Sequence, residues 1–435
     1  MDFHRIARNS SWNLLGQVTP LAAAFLCIPS ILRGMGDARF GVLTLAWMIV
    51  GYFSFFDLGL GRALTHVLSI QGTSKKQSDP GHTIGPALLV LAGLGAAGGL
   101  VMALVAPWLV HRVLRLPPDL VTETEWALRV IGVTVPFVTL TSGLRGVVEA
   151  RQMFRDLNLL RIPVGLLGYV GPWIVVQFSP KLEATMVVLL GVRVVGAVAH
   201  AWLARRAFPN ACLRWRVRIP ELRALLVSGG WMTVSNVIGP IMVNMDRFVL
   251  GAMVSVTAVA FYATPYEIVT RLLTVSAAVS AALFPSFSSA QDPKEFAQAR
   301  QSYGRAIVLL FAILGPGVLA IIVGAQWGLS RWLSPDFALE SAPVLRILAV
   351  GVLLNSLATV PFTWIQAAGM PRITALVHIL ELPLYLVLLW TLVRVDGIRG
   401  AAIAWTARVA LDAAILAWIA RRLMSTTEDG ASRAT

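Results

Sequence analysis

Fourteen ionisable side chains interrupt otherwise apolar stretches: the arginines Arg62, Arg129, Arg145, Arg193, Arg247, Arg271, Arg346 and Arg408, and the acids Asp57, Glu149, Asp246, Glu267, Glu381 and Asp412. A charge at the centre of a bilayer costs at least about 2.5–3.5 kcal/mol on insertion scales, so such residues turn towards a partner or a cavity. By position along their stretches Arg193, Arg247, Arg271 and Arg408 lie deepest, whereas snorkelling accommodates Arg129, Arg145 and Arg346. Glu267 and Arg271, Arg408 and Asp412, and Arg145 and Glu149 are each four residues apart, which puts each pair on one helix face where it can neutralise itself. Arginine still exceeds acid within the stretches, and a planar guanidinium binds phosphate bidentately, so the natural ligand class is anionic and phosphorylated. Arg62, Arg193, Arg247, Arg271 and Arg408 are the candidate substrate-binding cations, and Asp57, Glu267 and Asp412 are the candidate coupling or gating acids.

These residues need membrane-spanning helices to position them. Of 435 residues 57% are hydrophobic and 13% charged, against roughly a quarter charged in soluble proteins, which excludes a soluble globular enzyme. About twelve apolar stretches are long enough to cross the hydrocarbon core as helices. They run from Ser11 to Leu32, Gly41 to Ile70, Thr83 to Val110, Trp126 to Ala150, Leu157 to Phe178, Ala184 to Ala207, Leu222 to Met253, Ala258 to Ala290, Ser302 to Gln326, Ala342 to Ala368, Ile373 to Val393 and Ile398 to Leu423. The first is too long for a signal-peptide core and has a mid-chain counterpart, so it reads as a span. The fold class is therefore an all-α integral membrane protein.

The chain repeats itself. Displaced by 217 residues, Leu128-Arg129-Val130-Ile131 falls on Leu345-Arg346-Ile347-Leu348, and in the same register Ala150 meets Ala367, Met153 meets Met370 and Arg155 meets Arg372. Slightly larger displacements bring Trp12 onto Trp231, Pro20 onto Pro240, Phe40 onto Phe261 and Pro163 onto Pro383. Duplication of a six-helix unit explains this, and an even number of helices per unit keeps both halves in one orientation. The expected organisation is an N-terminal lobe over 1–208, a cytoplasmic linker over 209–221 and a C-terminal lobe over 222–435, with a central cavity between the lobes. Interrupted helices at matching positions point to the working site of a transporter, so Pro20 and Pro240 are candidate hinges.

The 36 Lys and Arg against 22 Asp and Glu give a net charge of +14, which in so apolar a chain points to an anionic membrane surface and not to nucleic acid. About twenty of the basic residues flank one side of the spans and about eight the other, which places both termini in the cytoplasm. Cys27 and Cys212 form neither a disulfide framework nor a metal site, and no metal or cofactor is expected. The stretch Gly93-Leu94-Gly95-Ala96-Ala97-Gly98 mimics a dinucleotide fingerprint but lies inside a span, where Gly95 and Gly99 serve close helix packing. There is no phosphate-loop lysine motif and no HExxH, so the chain reads as a non-enzyme without its own ATPase.

Asn9 to Trp12 before the first span, Arg39-Phe40-Gly41 opening the second, and Phe56-Asp57-Leu58-Gly59-Leu60-Gly61-Arg62-Ala63-Leu64 within it resemble the polysaccharide exporters and O-antigen flippases of the multidrug/oligosaccharidyl-lipid/polysaccharide exporter superfamily. The resemblance implies a bacterial inner-membrane transporter that moves a polyprenyl-pyrophosphate-linked oligosaccharide from the cytoplasmic to the outer leaflet by alternating access, coupled to an H+ or Na+ gradient. It implies membrane lipids, and a polysaccharide polymerase and export machinery, as partners, and it points to Arg62 for head-group contact. The alternatives are a cation-coupled multidrug or small-lipid exporter and, less favoured for want of a large outer loop, a membrane glycan polymerase.

Overall fold

A computed structural model describes residues 3–53, 60–71, 80–209, 244–288 and 293–432. The described elements are helical: α1 (Phe3–Phe53), α2 (Leu60–Gln71), α3 (Gly81–Trp108), α4 (Val121–Ala150), α5 (Phe154–Val176), α6 (Leu182–Ala207), α7 (residues 244–253), α8 (Val256–Thr270), α9 (Leu273–Ser288), α10 (Pro293–Trp332), α11 (Pro335–Ala367) and α12 (Pro371–Ser432). Short π and 3-10 turns, Leu109–Val113 and Pro118–Leu120, join α3 to α4. A helix satisfies its own backbone, which hydrocarbon demands of any spanning segment.

Nine helical stretches among the described residues are long and apolar enough to cross a membrane. Two of them, Thr19–Phe53 and Arg372–Ser425, are too long for one crossing and are broken within. The first breaks at Gly36 (φ 78°) and the second at Asp396 and Gly397 (φ 53° at the glycine). These breaks fall where the sequence places connections between its first and second, and its eleventh and twelfth, spans. Outward faces carry bare apolar side chains, with Leu104, Val323, Trp327, Leu380 and Val395 each at least 70% exposed, as suits a lipid solvent.

The chain divides into two compact units, Met1–Asn244 and Met245–Thr435. The expected linker and the start of the expected second lobe fall mostly on residues outside those described. Within the units the sequence repeat is reproduced in detail. Pro118-Asp119 precede α4 and Pro335-Asp336 open α11, 217 residues on. At the other end the Met153 N–H donates to the Val148 carbonyl and the Gln152 N–H to that of Glu149, while Met370 donates to Ile365 and Gly369 to Gln366. The left-handed residue of each turn is Gln152 (φ 56°) in one and Gly369 (φ 77°) in the other, and the next helix begins at Phe154 or Pro371. The end of the long helix, the turn and the start of the next helix all keep the displacement of 217, which supports duplication.

In the first unit, Leu60, Leu64, Ile84, Leu91, Val147 and Leu203 make a core shared by α2, α3, α4 and α6. The closest helix approach is between α3 and α4: a Cβ on Gly99 would strike the Gly132 carbonyl, and one on Gly132 would stand 2.6 Å from that of Gly99. A Cβ on Gly95 would meet Pro136 at 2.6 Å, and the Thr139 hydroxyl donates across to the Leu91 carbonyl at 2.9 Å. Gly95 and Gly99 are thus packing residues, as lipid-embedded helices without a hydrophobic driving force require. Arg39 forks onto Glu123 at 2.9 and 3.0 Å, tying the second limb of α1 to α4. In the second unit Trp364 of α11 is ringed by Phe287, Phe296 and Tyr303, with centroids 4.8, 5.6 and 5.9 Å away.

Gly99→Val will destabilise the first unit by about 1–3 kcal/mol through overpacking, whereas Gly93→Ala, with open space at its Cβ, will not. Thermal unfolding followed by fluorescence-detected size exclusion will show a lowered midpoint for the first variant alone.

Candidate functional site

Polar side chains of the second unit collect on the facing sides of α7, α8 and the two limbs of α12. Asp246 and Arg247 on α7 are almost fully buried, at 0% and 4% exposure. The Tyr262 hydroxyl of α8 donates to Asp246 Oδ2 at 2.5 Å and the Arg247 backbone N–H to Oδ1 at 2.8 Å. Arg247 Nη2 donates to Glu267 Oε1 at 3.1 Å, and Arg271 Nη2 to Glu267 Oε2 at 2.9 Å, so one half-exposed carboxylate bridges two arginines. The Arg247 guanidinium also lies 4.6 Å from the centroid of Tyr266, a cation–π arrangement. Tyr262 stacks on Tyr266, which meets Trp405 of α12 edge-on.

The limbs of α12 supply the rest. His378, Glu381 and Tyr385 recur at three- and four-residue spacing on the first limb, and Arg408 and Asp412 on the second. Arg408 Nη1 is 3.9 Å from Glu381 Oε2, His378 Nε2 is 3.6 Å from Asp412 Oδ1, and the Arg408 guanidinium carbon is 5.6 Å from the Tyr385 centroid. The two halves are in electrostatic contact, since Arg408 acts on Asp246, and Asp246, Arg247 and Tyr266 act on Tyr385. Both Glu381 carboxylate oxygens, Asp412 Oδ1, the Tyr385 hydroxyl and Arg408 Nε are buried without a hydrogen-bond partner among the described residues.

Ligand-type atoms of His378, Glu381 and Asp412 lie within 4.8 Å of one another. A divalent ion among them would stand against the Arg408 guanidinium, 3.9 Å from Glu381. Repulsion from that fixed cation makes the pocket a poor divalent-metal centre.

The expected neutral pairs need one correction. Glu267–Arg271 and Arg145–Glu149 form at 2.9 and 2.6 Å. Arg408 does not pair with Asp412 four residues on; it turns to Glu381, and Asp412 turns to His378. Both alternative partners come from the other limb of α12, which the break at Asp396 and Gly397 brings alongside.

Arg193, on α6 of the first unit, is different. It is exposed in the middle of its helix and has no carboxylate partner among the described residues. It edges a cavity of about 20 Å³, room for one water, with Trp47, Val130, Thr134, Met186 and Leu189. Trp47 in turn packs on Tyr169 at 5.2 Å. Back in the second unit, a groove of about 810 Å³ runs between α9 and α10 past Val279, Leu283, Val308, Leu309 and Ala312, with Arg305 as its one charged lining residue.

The remaining candidates are placed as follows. Arg62 lies on α2, with its side chain outside the described residues; Asp57 and Pro240 lie outside them altogether. The α1 backbone stays helical through Pro20, whose ring packs where a Cβ on Gly165 of α5 would go, and leaves helical geometry at Gly36. Composition and spacing singled out Arg247, Glu267, Arg271, Arg408 and Asp412, which the fold gathers into one unit. They passed over His378, Glu381's pairing and the tyrosines Tyr262, Tyr266 and Tyr385, although His378-x-x-Glu381-x-x-x-Tyr385 is a polar stripe that helical spacing could have shown.

A family model for polysaccharide biosynthesis proteins matches residues 6–291. Over 425 residues, 98% of this chain and the whole of the relative, the sequence is 31% identical to a candidate O-antigen transporter of Shigella flexneri. The chain belongs to the polysaccharide biosynthesis protein family. It is also 22% identical over 381 residues to the membrane protein EpsK of Bacillus subtilis, covering 83% of this chain and 71% of that one. Its fold is that of the MOP-superfamily transporters. An inward-facing multidrug-resistance MATE transporter of that superfamily matches with a TM-score of 0.79 at 14% identity, covering 95% of this chain and 99% of its own. A MOP-superfamily transporter from Pyrococcus furiosus matches with 0.66, also at 14% identity, over 98% and 95%. The chain is thus a multi-pass membrane protein of the polysaccharide biosynthesis family, with an all-helical fold.

Tyr262→Phe will leave the buried Asp246 carboxylate short of its closest donor and cost about 1–3 kcal/mol. A lowered thermal midpoint in detergent, with the wild-type elution volume retained, will report it.

Proposed function

We propose that this protein flips a polyprenyl-pyrophosphate-linked oligosaccharide from the cytoplasmic to the outer leaflet of a bacterial inner membrane by alternating access, driven by a cation gradient. The observation that carries the reading is the end-to-end 31% identity to a relative named for O-antigen transport. Arg193 supports it: a guanidinium in mid-helix without a carboxylate partner among the described residues suits a phosphorylated head group, which it can bind through paired charge-assisted hydrogen bonds. The apolar groove between α9 and α10, with a cation in its lining, suits a lipid chain ending in phosphate. On this reading both termini are cytoplasmic, the partners are membrane lipids and surface-polysaccharide polymerase and export machinery, and the protein is a transporter and not an enzyme.

The second reading, a cation-coupled multidrug or small-lipid exporter, draws support from the MATE neighbours and from the acids of the second unit. Deleting the gene separates the two. Flipping predicts loss of a surface glycan with build-up of its lipid-linked precursor on the cytoplasmic face; drug export predicts an unchanged glycan and heightened sensitivity to toxic cations. In a complementation assay Arg193→Ala will reach wild-type levels in the membrane yet weaken head-group binding by a charge-assisted hydrogen bond, about tenfold to a hundredfold, and lower surface glycan accordingly. Full export by Arg193→Ala would remove that residue from the site.

A further inference from the structure

Among the described residues of the second unit, four carboxylates, Asp246, Glu267, Glu381 and Asp412, share their surroundings with three guanidiniums, Arg247, Arg271 and Arg408. Asp246 accepts from the Tyr262 hydroxyl and the Arg247 backbone N–H, and the Arg247 and Arg271 guanidiniums both close on Glu267. The shortfall therefore falls at the pocket on α12. There, among the described residues, Glu381 and Asp412 have one permanent cation between them, Arg408, which at 3.9 Å from Glu381 makes no hydrogen bond, while His378 beside Asp412 is a cation only when it carries a proton. Two carboxylates so close in a low-dielectric site cannot both stay ionised with a single, loosely held counter-charge.

We infer that the pocket formed by His378, Glu381 and Asp412 holds one exchangeable proton per chain and is the coupling site of the transport cycle, an assignment that rests on the cation-driven reading above. Glu381 is 4% exposed and Asp412 10%, while His378 is 35% exposed and stacks flat on Phe362 of α11. Exposure thus rises from Glu381 to His378, and the imidazole, 3.6 Å from Asp412, is placed to take a proton from bulk water and pass it inward. On loading, hydronium protonates the His378 imidazole, and an N–H bond of the imidazolium breaks as an O–H bond forms on one carboxylate oxygen of the Glu381 and Asp412 pair; on unloading, the carboxyl proton returns through the imidazole to water and Arg408 takes over neutralisation of Glu381. The charged and titratable groups that face the pocket are Arg408 and Asp412 from the second limb, Tyr385 from the first, Asp246 and Arg247 from α7 and Tyr266 from α8, while α11 presents Phe362. An imidazole among the three ligand-type groups favours a proton over Na+, which takes oxygen ligands.

The full-length protein in lipid nanodiscs tests this without any glycan. On a jump from about pH 8 to about pH 5, a range that brackets the ordinary pKa of an imidazole, a pH-indicator dye will record one proton more taken up per chain by wild type than by the isosteric Glu381→Gln. Asp412→Asn gives the same loss and serves if Glu381→Gln does not fold. Infrared difference spectra of wild type will show a protonated-carboxyl band on acidification that is missing in the folded variant, and His378→Ala will slow uptake without changing its final extent. Equal uptake by folded wild type and both variants would overturn the assignment. So would loss of the proton to Na+ at equal ionic strength, or saturable Zn2+ binding abolished by Glu381→Gln, since each makes the pocket a metal-ion site. A pocket that takes its proton in a protein that moves no glycan would leave this assignment standing and defeat the flippase reading; a flippase with an inert pocket would do the reverse.

Discussion

Charge inside hydrocarbon must be neutralised, and that constraint organises the second unit. Three arginines there have each drawn an acid or an aromatic face: Arg247 takes Glu267 and Tyr266, Arg271 takes Glu267, and Arg408 takes Glu381 and Tyr385. The Arg247–Glu267 pair joins α7 to α8 and the Arg408–Glu381 pair joins the two limbs of α12, so these cannot move apart without exposing bare charge to lipid. Replacing one member strands another, which is the costly direction for a buried pair. Apolar packing alone would not fix these helices against one another, because lipid tails offer the same contacts.

The first unit meets the same requirement by the opposite means. Its helices α3 and α4 approach through Gly99 and Gly132, and the Arg39–Glu123 fork ties in the second limb of α1. Arg193 is left without an acid among the described residues. The duplicated ancestor that the turns at Gln152 and Gly369 record has therefore diverged in charge while keeping its backbone. Among the described residues one unit carries a cation without an acid, Arg193, and the other a network of paired arginines and acids.

Much of this was legible in the sequence. Apolar run length gave the helices, and their breaks at Gly36 and Gly397 fall where glycine interrupts a hydrophobic stretch. The displacement of 217 recurs atom for atom in the hydrogen bonds of Met153 and Met370. Same-helix pairs such as Arg145 and Glu149 could be read from spacing, because they depend on local geometry alone. Arg408 could not: its choice of Glu381 over Asp412 depends on how the two limbs of α12 fold back, which is tertiary information. The tyrosines were hidden for a different reason, since in an apolar background a Tyr counts as hydrophobic until its hydroxyl is seen to meet a buried carboxylate, as Tyr262 meets Asp246.

The most direct measurement combines cargo and driving force. Purified protein is reconstituted into liposomes with the lipid-linked oligosaccharide extracted from a strain lacking it, and outward movement is followed by access of a membrane-impermeant glycosidase, with and without an imposed pH gradient. The account predicts movement that needs the protein, accelerates with the gradient and relaxes when a protonophore collapses it. Movement at the same rate with and without the gradient would contradict proton coupling, and no movement at all in well-folded, oriented protein would contradict the flippase.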